Sequence, residues 1–386
     1  VGLATAWNLV NKYPGKSIVI MEKEFKVASQ QSNVRYGVLH SGIYHNPGSV
    51  QAEGCLKGRN RMLAFCKRFG VPVNVCGKTI VATEESELHG LELLYRNAER
   101  SGIPCELLGP KGLKKIEPMI DGLAAIHVKT TAVLDYRRVC DVLLTQLATK
   151  GCYVLLNTEV KAIKEMPTEV RITTNHGNHY ARYVINCAGI HADTVMKISG
   201  KTPGMRLLAF RGEFFNFRQE VNNFCNAPVF PVSNPKIFQL GPHFTKGIDG
   251  NILCGPNVVI ALNKDGSGKK KIDFRYLFNL LMFSGFWWLW MDYWPEALAE
   301  IWHTTNRKAF VKTLRKLMPS IQPNQLVKAP HLTRSQAVTY DGKLVSDMVI
   351  HESHRILHVF NPQAPVATAA FHVGQVIMER FEKRFL

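Results

Sequence analysis

The chain has 386 residues, of which 46% are hydrophobic and 20% charged, a balance that supports a large folded core and speaks against a disordered or fibrous chain. Its formal charge of +18 directs attention to anionic partners, yet the basic residues are scattered, the densest run being Lys269, Lys270 and Lys271. No zinc-finger or RRM signature is present, which argues against nucleic acid, and nine cysteines without a CxxC pair fit buried thiols in a reducing compartment rather than a metal site or a disulfide framework.

Residues 2–12 predict an apolar helix, closed by the turn around Pro14 and Gly15. No initiator Met and no strand precede it, as expected of a fragment whose targeting segment would lie upstream. Residues 17–21 form a β-branched apolar run, expected as a buried parallel strand ending in Glu22. Glu22 follows Gly2 by twenty residues, the spacing of a dinucleotide-binding βαβ unit. In such a unit the helix start faces a pyrophosphate and the acid accepts hydrogen bonds from a ribose.

Residues 37–44 (Gly37, Val38, Leu39, His40, Ser41, Gly42, Ile43, Tyr44) predict a loop that brings backbone and titratable groups close to a flat ligand. Helices are expected over 49–69, 86–101, 113–118 and 136–149, with strands over 78–83, 124–128 and 132–135. Short strands follow over 153–156, 160–163 and 170–174. A strand over 183–187 runs into Gly189, with a helix over 191–199 behind it.

Residues 205–262 read as an antiparallel sheet that roofs a ligand, with strands at 210–215, 237–240 and 251–254. From Tyr276 to Met291, sixteen residues carry no charge, fewer than the roughly 20 needed to span a bilayer. The stretch 276–293 therefore reads first as a buried helix and second as a membrane-surface contact, since Trp favours that boundary. A basic helix over 307–318 (Arg307, Lys308, Lys312, Arg315, Lys316) would face anionic lipid. A strand over 356–361, a Pro-rich turn and a helix over 367–382 close the chain.

Several stretches together resemble the L-2-hydroxyglutarate dehydrogenase family, FAD enzymes of the D-amino-acid-oxidase-like group. They are Gly37 to Tyr44; Cys76, Gly77 and Lys78; Phe210, Arg211 and Gly212; Gly255, Pro256 and Asn257; and Arg334, Ser335 and Gln336. The sequence departs from the family at Val34, Arg35 and Tyr36, where small polar residues are usual, and at Phe360 to Ala364. It also lacks the first strand and first two glycines of the FAD fingerprint.

The resemblance implies an α/β fold: an FAD-binding Rossmann-like domain (1–75, 140–200 and 330–386) interleaved with a β-rich substrate domain (76–139 and 201–329). It implies oxidation of (S)-2-hydroxyglutarate to 2-oxoglutarate, the C2 hydride passing to flavin N5 and the electrons on to a mitochondrial membrane acceptor. His40 or His243 would be the base, and Tyr44, Arg211 and Arg334 would hold a small dicarboxylate. Gly2, Glu22, Gly37, Val160, Gly189, Asn361, Pro365, Ala367 and Thr368 would bind FAD. No metal is expected. Two alternatives stay open: a related flavoenzyme for another 2-hydroxy or amino acid, and a non-catalytic relative with weakened FAD binding.

Overall fold

The computed structural model describes residues 1–33, 36–218, 224–232, 241–265, 272–362 and 365–386. The expected strand at 237–240, the basic run at 269–271, and the divergent residues Val34, Arg35, Gln363 and Ala364 lie outside the described residues.

Helix Gly2–Lys12 ends before Pro14, whose ring and missing N–H cannot continue a helix. Its buried stripe of Ala4, Ala6 and Val10 packs on helices Tyr136–Thr149 and Val366–Phe385. The C-terminal helix comes so close that a Cβ on Gly374 would lie 2.7 Å from the Ala4 carbonyl carbon. Small residues on both sides therefore set this crossing, and helix Val50–Phe69 packs on the same C-terminal helix. Strand Val19–Met21 pairs in parallel with Tyr153–Leu155, and Val184–Asn186 pairs in parallel with Ile356–Phe360. Among the described residues Val19–Met21 and Val184–Asn186 each have a strand partner on one side only, and both border one cleft. That cleft leaves Val19 about half exposed, so the strand is not the fully buried one its composition predicts.

The second half is built on a sheet of nine strands among the described residues. Its longest strand, Met205–Phe217, is flanked by Ile252–Ile260 on one edge and by Leu332–Thr339 and Leu326–Lys328 on the other. The sheet continues through His243–Lys246, Val229–Pro231, Lys78–Ala82, Ala124–Val128 and Cys105–Leu108. It is mixed rather than purely antiparallel, because Val229–Pro231 runs parallel to Lys78–Ala82. Behind it Phe215, Phe217 and Phe244 pack on Phe310, Val311 and Leu314 of helix Arg307–Leu314.

The sequence boundaries shift in several places. Leu332–Thr339 hydrogen-bonds along Met205–Gly212, so it belongs with the roof sheet and not with the C-terminal return. Ala132–Leu134 pairs with Gly37–Leu39, so it belongs with the other half, and the expected loop at 37–44 begins only at His40. The short helix expected over 113–118 is Pro110–Ile116, and the basic helix ends at Leu314 instead of 318.

The largest correction concerns 276–293. It is two helices, Phe274–Leu281 and Ser284–Thr305, the second broken at Tyr293 just before Pro295. Leu280, Phe283, Gly285 and Leu289 are buried, but Phe278, Met282, Trp287, Trp288 and Met291 are exposed. The buried-helix expectation fails because only one stripe of this uniformly apolar stretch meets the roof sheet. No helix among the described residues is long and apolar enough to cross a membrane.

Candidate active site

A cavity of about 2430 Å3 lies between the two halves. Sites for drug-sized ligands are roughly 300–1,000 Å3, so this one has room for a dinucleotide and a second small molecule. At one end Val1, Gly2 and Leu3 present a helix N-terminus with no side-chain cap, which leaves its first amides open to an anion. Glu22 stands in the same cleft at the end of Val19–Met21. Its carboxylate accepts from the Glu24 N–H (3.0 Å), and burial raises its pKa. Val160 borders the cleft at the start of its strand, and Gly189 does so in a left-handed conformation (φ 57°). These residues fit the pyrophosphate and ribose of a dinucleotide.

Toward the middle, Gly37, Asn361 and Thr368 border the cavity and also hold other parts of the protein in place. A Cβ on Gly37 would lie 2.2 Å from the Tyr136 ring, so glycine is required there to seat that ring. Asn361 (φ 42°) donates from its side chain to the Val345 carbonyl (2.6 Å) and the Asp347 carbonyl (3.1 Å), tying down a loop. The fully buried Thr368 hydroxyl accepts from the His40 N–H (3.1 Å) and lies 3.3 Å from the Tyr136 hydroxyl. The C-terminal helix thereby fixes the backbone that carries His40. Pro365 and Ala367, at the start of that helix, border the cavity.

On the roof, alternation along Met205–Phe217 decides which side chains face the ligand. Phe210, Gly212 and Phe214 border the cavity, while Arg211 and Glu213 point away. Arg211 is held by Glu213 (2.8 Å), so it is not available as a carboxylate clamp. Arg334 sits opposite Phe210 in the adjacent strand and shares its face. Its side chain borders the cavity and keeps exposed surface, while the protein around it desolvates it and lowers its pKa. Among the described residues no carboxylate pairs with it.

The two histidines occupy different positions. His40 borders the cavity. His243 is not among its lining residues; its ring stacks on Phe230 (centroids 3.9 Å apart), and Phe230 in turn meets His40 edge-on (6.2 Å). Burial, and then the Lys78 charge, holds His40 well below the ordinary imidazole value. Burial pushes His243 down to about 4. Both rings are neutral at pH 7, and a neutral imidazole can accept a proton. The Nδ1 of His243 meets the Gly241 carbonyl at 3.0 Å, which makes it the donor nitrogen of that ring. Tyr44 borders the cavity with a buried hydroxyl that has no partner among the described residues.

The site thus combines a dinucleotide cleft, a neutral histidine, a cavity-facing guanidinium and a phenol with a spare donor. Lys78 carries no assigned role in the sequence reading, although it lies within the quoted motif. Its signal was a lysine opening an apolar strand, Lys78–Ala82, in which all five positions are buried.

The chain matches the model of the FAD dependent oxidoreductase family over residues 1–380. It is 32% identical to the L-2-hydroxyglutarate dehydrogenase of Indibacter alkaliphilus, covering 100% of this chain and 97% of that one. It is 33% identical to the mitochondrial L-2-hydroxyglutarate dehydrogenase of Homo sapiens, covering 100% of this chain and 87% of that one. Among solved structures, it resembles the FAD-bound L-alpha-glycerophosphate oxidase of Mycoplasma pneumoniae, with a TM-score of 0.78 at 20% identity over 99% of this chain and 92% of that one. Glycine oxidase of Geobacillus kaustophilus gives a TM-score of 0.73 at 17% identity over 100% and 93% of the two chains. These structural likenesses show the fold.

Proposed function

The chain belongs to the FAD dependent oxidoreductase family, and on that premise we propose that it oxidises (S)-2-hydroxyglutarate to 2-oxoglutarate with His40 as the base. The observation that carries this reading is a neutral histidine and a guanidinium, Arg334, without a carboxylate partner among the described residues, both facing one cavity. The names of relatives about one-third identical over the whole chain supply the substrate.

When bound, FAD supplies the acceptor for the hydride leaving C2. Gly2 and the amides that follow it hold the pyrophosphate, Glu22 holds the ribose, and Val160 and Gly189 flank the nucleotide. Pro365 and Ala367 start a helix whose N-terminus faces the middle of the cavity, where it favours developing negative charge. His40 takes the hydroxyl proton on a ring nitrogen. Its low proton affinity keeps the ring unprotonated before substrate arrives. Arg334 presents two parallel N–H groups to one carboxylate, and Tyr44 donates its hydroxyl to a substrate oxygen. His243 buttresses Phe230 behind this set. Anaerobic reduction of the bound flavin by (S)-2-hydroxyglutarate, with the (R) enantiomer inert, is the test of this reading.

The exposed aromatic face is the second part of the proposal. Phe274, Phe278, Met282, Trp287, Trp288, Met291 and Trp302 are exposed around the helix break, and Lys308 and Lys312 are exposed on the helix that follows. This composition suits the headgroup level of a bilayer and delivery of electrons to a membrane-bound acceptor. Within the basic stretch, Arg315 is engaged by the Ile321 carbonyl (3.0 Å) and Lys316 by Glu84 (2.6 Å), so lipid attraction falls to Arg307, Lys308 and Lys312. The names of the mammalian relatives suggest the mitochondrion as the compartment. Wild-type protein is expected to float with anionic liposomes, and Trp287→Ser with Trp288→Ser to reduce recovery several-fold. Equal recovery of the two proteins would remove the membrane contact from this account.

A further inference from the structure

Lys78 is among the largest fully buried side chains of the protein, with no exposed surface. Its ammonium lies 4.4 Å from the centroid of the Tyr44 ring and 4.9 Å from that of Phe230. It makes no hydrogen bond and has no carboxylate partner among the described residues. Two ring faces attract a cation, but they do not satisfy three N–H donors, and an isolated buried ammonium is costly. Burial lowers its pKa to about 7, and Cys55 is the titratable neighbour that favours its charge. His40 from the loop and His243 from the roof strand beyond Val229–Pro231 also feel its charge, and both are neutral. Lys78 borders the same cavity as His40, Tyr44 and Arg334. An unpaired buried cation beside a cavity is a site prepared for an anion.

We propose that Lys78 binds one carboxylate of the dicarboxylate substrate while Arg334 binds the other. This rests on the substrate reading above and adds to it a reason for two acid groups. The ammonium has no exposed surface where it stands, so the side chain turns toward the cavity to meet the carboxylate, which supplies the oxygen acceptors that the rings do not. Above pH 7 the free lysine is largely neutral, so the bound anion restores its charge and draws a proton from solvent.

The test uses the full FAD-loaded protein in its oxidised state, with 2-oxoglutarate as the probe and calorimetry as the readout. At pH 8, titrations in buffers of different ionisation enthalpy are expected to show uptake of about one proton per ligand bound. Lys78→Met is expected to raise the Kd at least about 30-fold, to abolish that uptake and to retain FAD. It is also expected to raise Tm in the ligand-free protein, since a buried amine without hydrogen-bond partners is gone. Should Lys78→Met fail to fold, Lys78→Gln gives the same comparison, and an unchanged Kd there overturns the proposal. An unchanged Kd in Lys78→Met overturns it as well. So does a fall in kcat with Kd unchanged, which would make Lys78 a proton-transfer group. If the wild type does not bind 2-oxoglutarate, the substrate reading itself fails and takes this proposal with it.

Discussion

His40→Gln is expected to lower kcat about 100- to 10,000-fold while leaving the FAD spectrum and the thermal midpoint close to wild type. Glutamine keeps the approximate size and hydrogen-bonding edge of the imidazole but cannot accept a proton at neutral pH. The His40 backbone N–H is held by Thr368, so the substitution leaves the loop anchored. The pH profile separates a proton acceptor from a merely structural ring. Burial and the Lys78 charge lower the His40 pKa below its ordinary 6.5. The base form is the neutral one, so wild-type kcat/KM should persist below pH 6.5 and fall only on further acidification. His40→Gln should lose that acid limb. His243→Gln should cost less, because His243 stands behind Phe230 and off the cavity. A larger loss of kcat in His243→Gln, with the acid limb retained in His40→Gln, would reverse the assignment.

Arg334→Met is expected to raise KM for the dicarboxylate about 10- to 150-fold, the equivalent of about 1.5–3 kcal/mol for a hydrogen bond to a charged group. The substitution removes a desolvated cation that has no carboxylate partner among the described residues, so Tm should hold or rise. Arg334→Lys should recover only part of the affinity, because an ammonium lacks the flat two-donor fork that matches a carboxylate. Arg211→Met provides the contrast. Arg211 pairs with Glu213 on the far side of the strand, and Glu213 is buried. Its loss should lower stability with little change in KM. An unchanged KM in Arg334→Met would remove Arg334 from substrate binding.

The comparison of these two arginines shows where sequence reading stops. Arg211 and Arg334 both lie in β-strands of the roof, and both sit in motifs shared with the family. Facing is set by strand parity and register, and one residue of offset turns a side chain from the ligand to the opposite face. Phe210 and Arg334 are register partners, so Arg334 faces inward and Arg211 does not. Residue spacing was a better guide to which residues share a cleft. Gly2 starts a helix and Glu22 directly follows the next strand, and local chain geometry brings both to one cleft.

Long-range packing was less legible. Gly37 borders the cavity, and it also leaves room for the Tyr136 ring where a Cβ would lie, a second demand that nothing near Gly37 in sequence announces. Thr368 borders the cavity, and its hydroxyl is also engaged by His40 and Tyr136, more than two hundred residues earlier in the chain. The aromatic stretch at 276–293 was ambiguous for a different reason. An uninterrupted apolar sequence has no polar face to show which side meets the core, and the exposed tryptophans emerged only from the packing of Leu280, Phe283 and Leu289.

The measurement that tests the central claim most directly is the visible absorption spectrum of the purified protein, recorded before and after anaerobic addition of (S)-2-hydroxyglutarate. The account predicts an oxidised flavin spectrum that bleaches, with 2-oxoglutarate formed in equal amount and the (R) enantiomer without effect. A flavin spectrum that (S)-2-hydroxyglutarate leaves unchanged would contradict it.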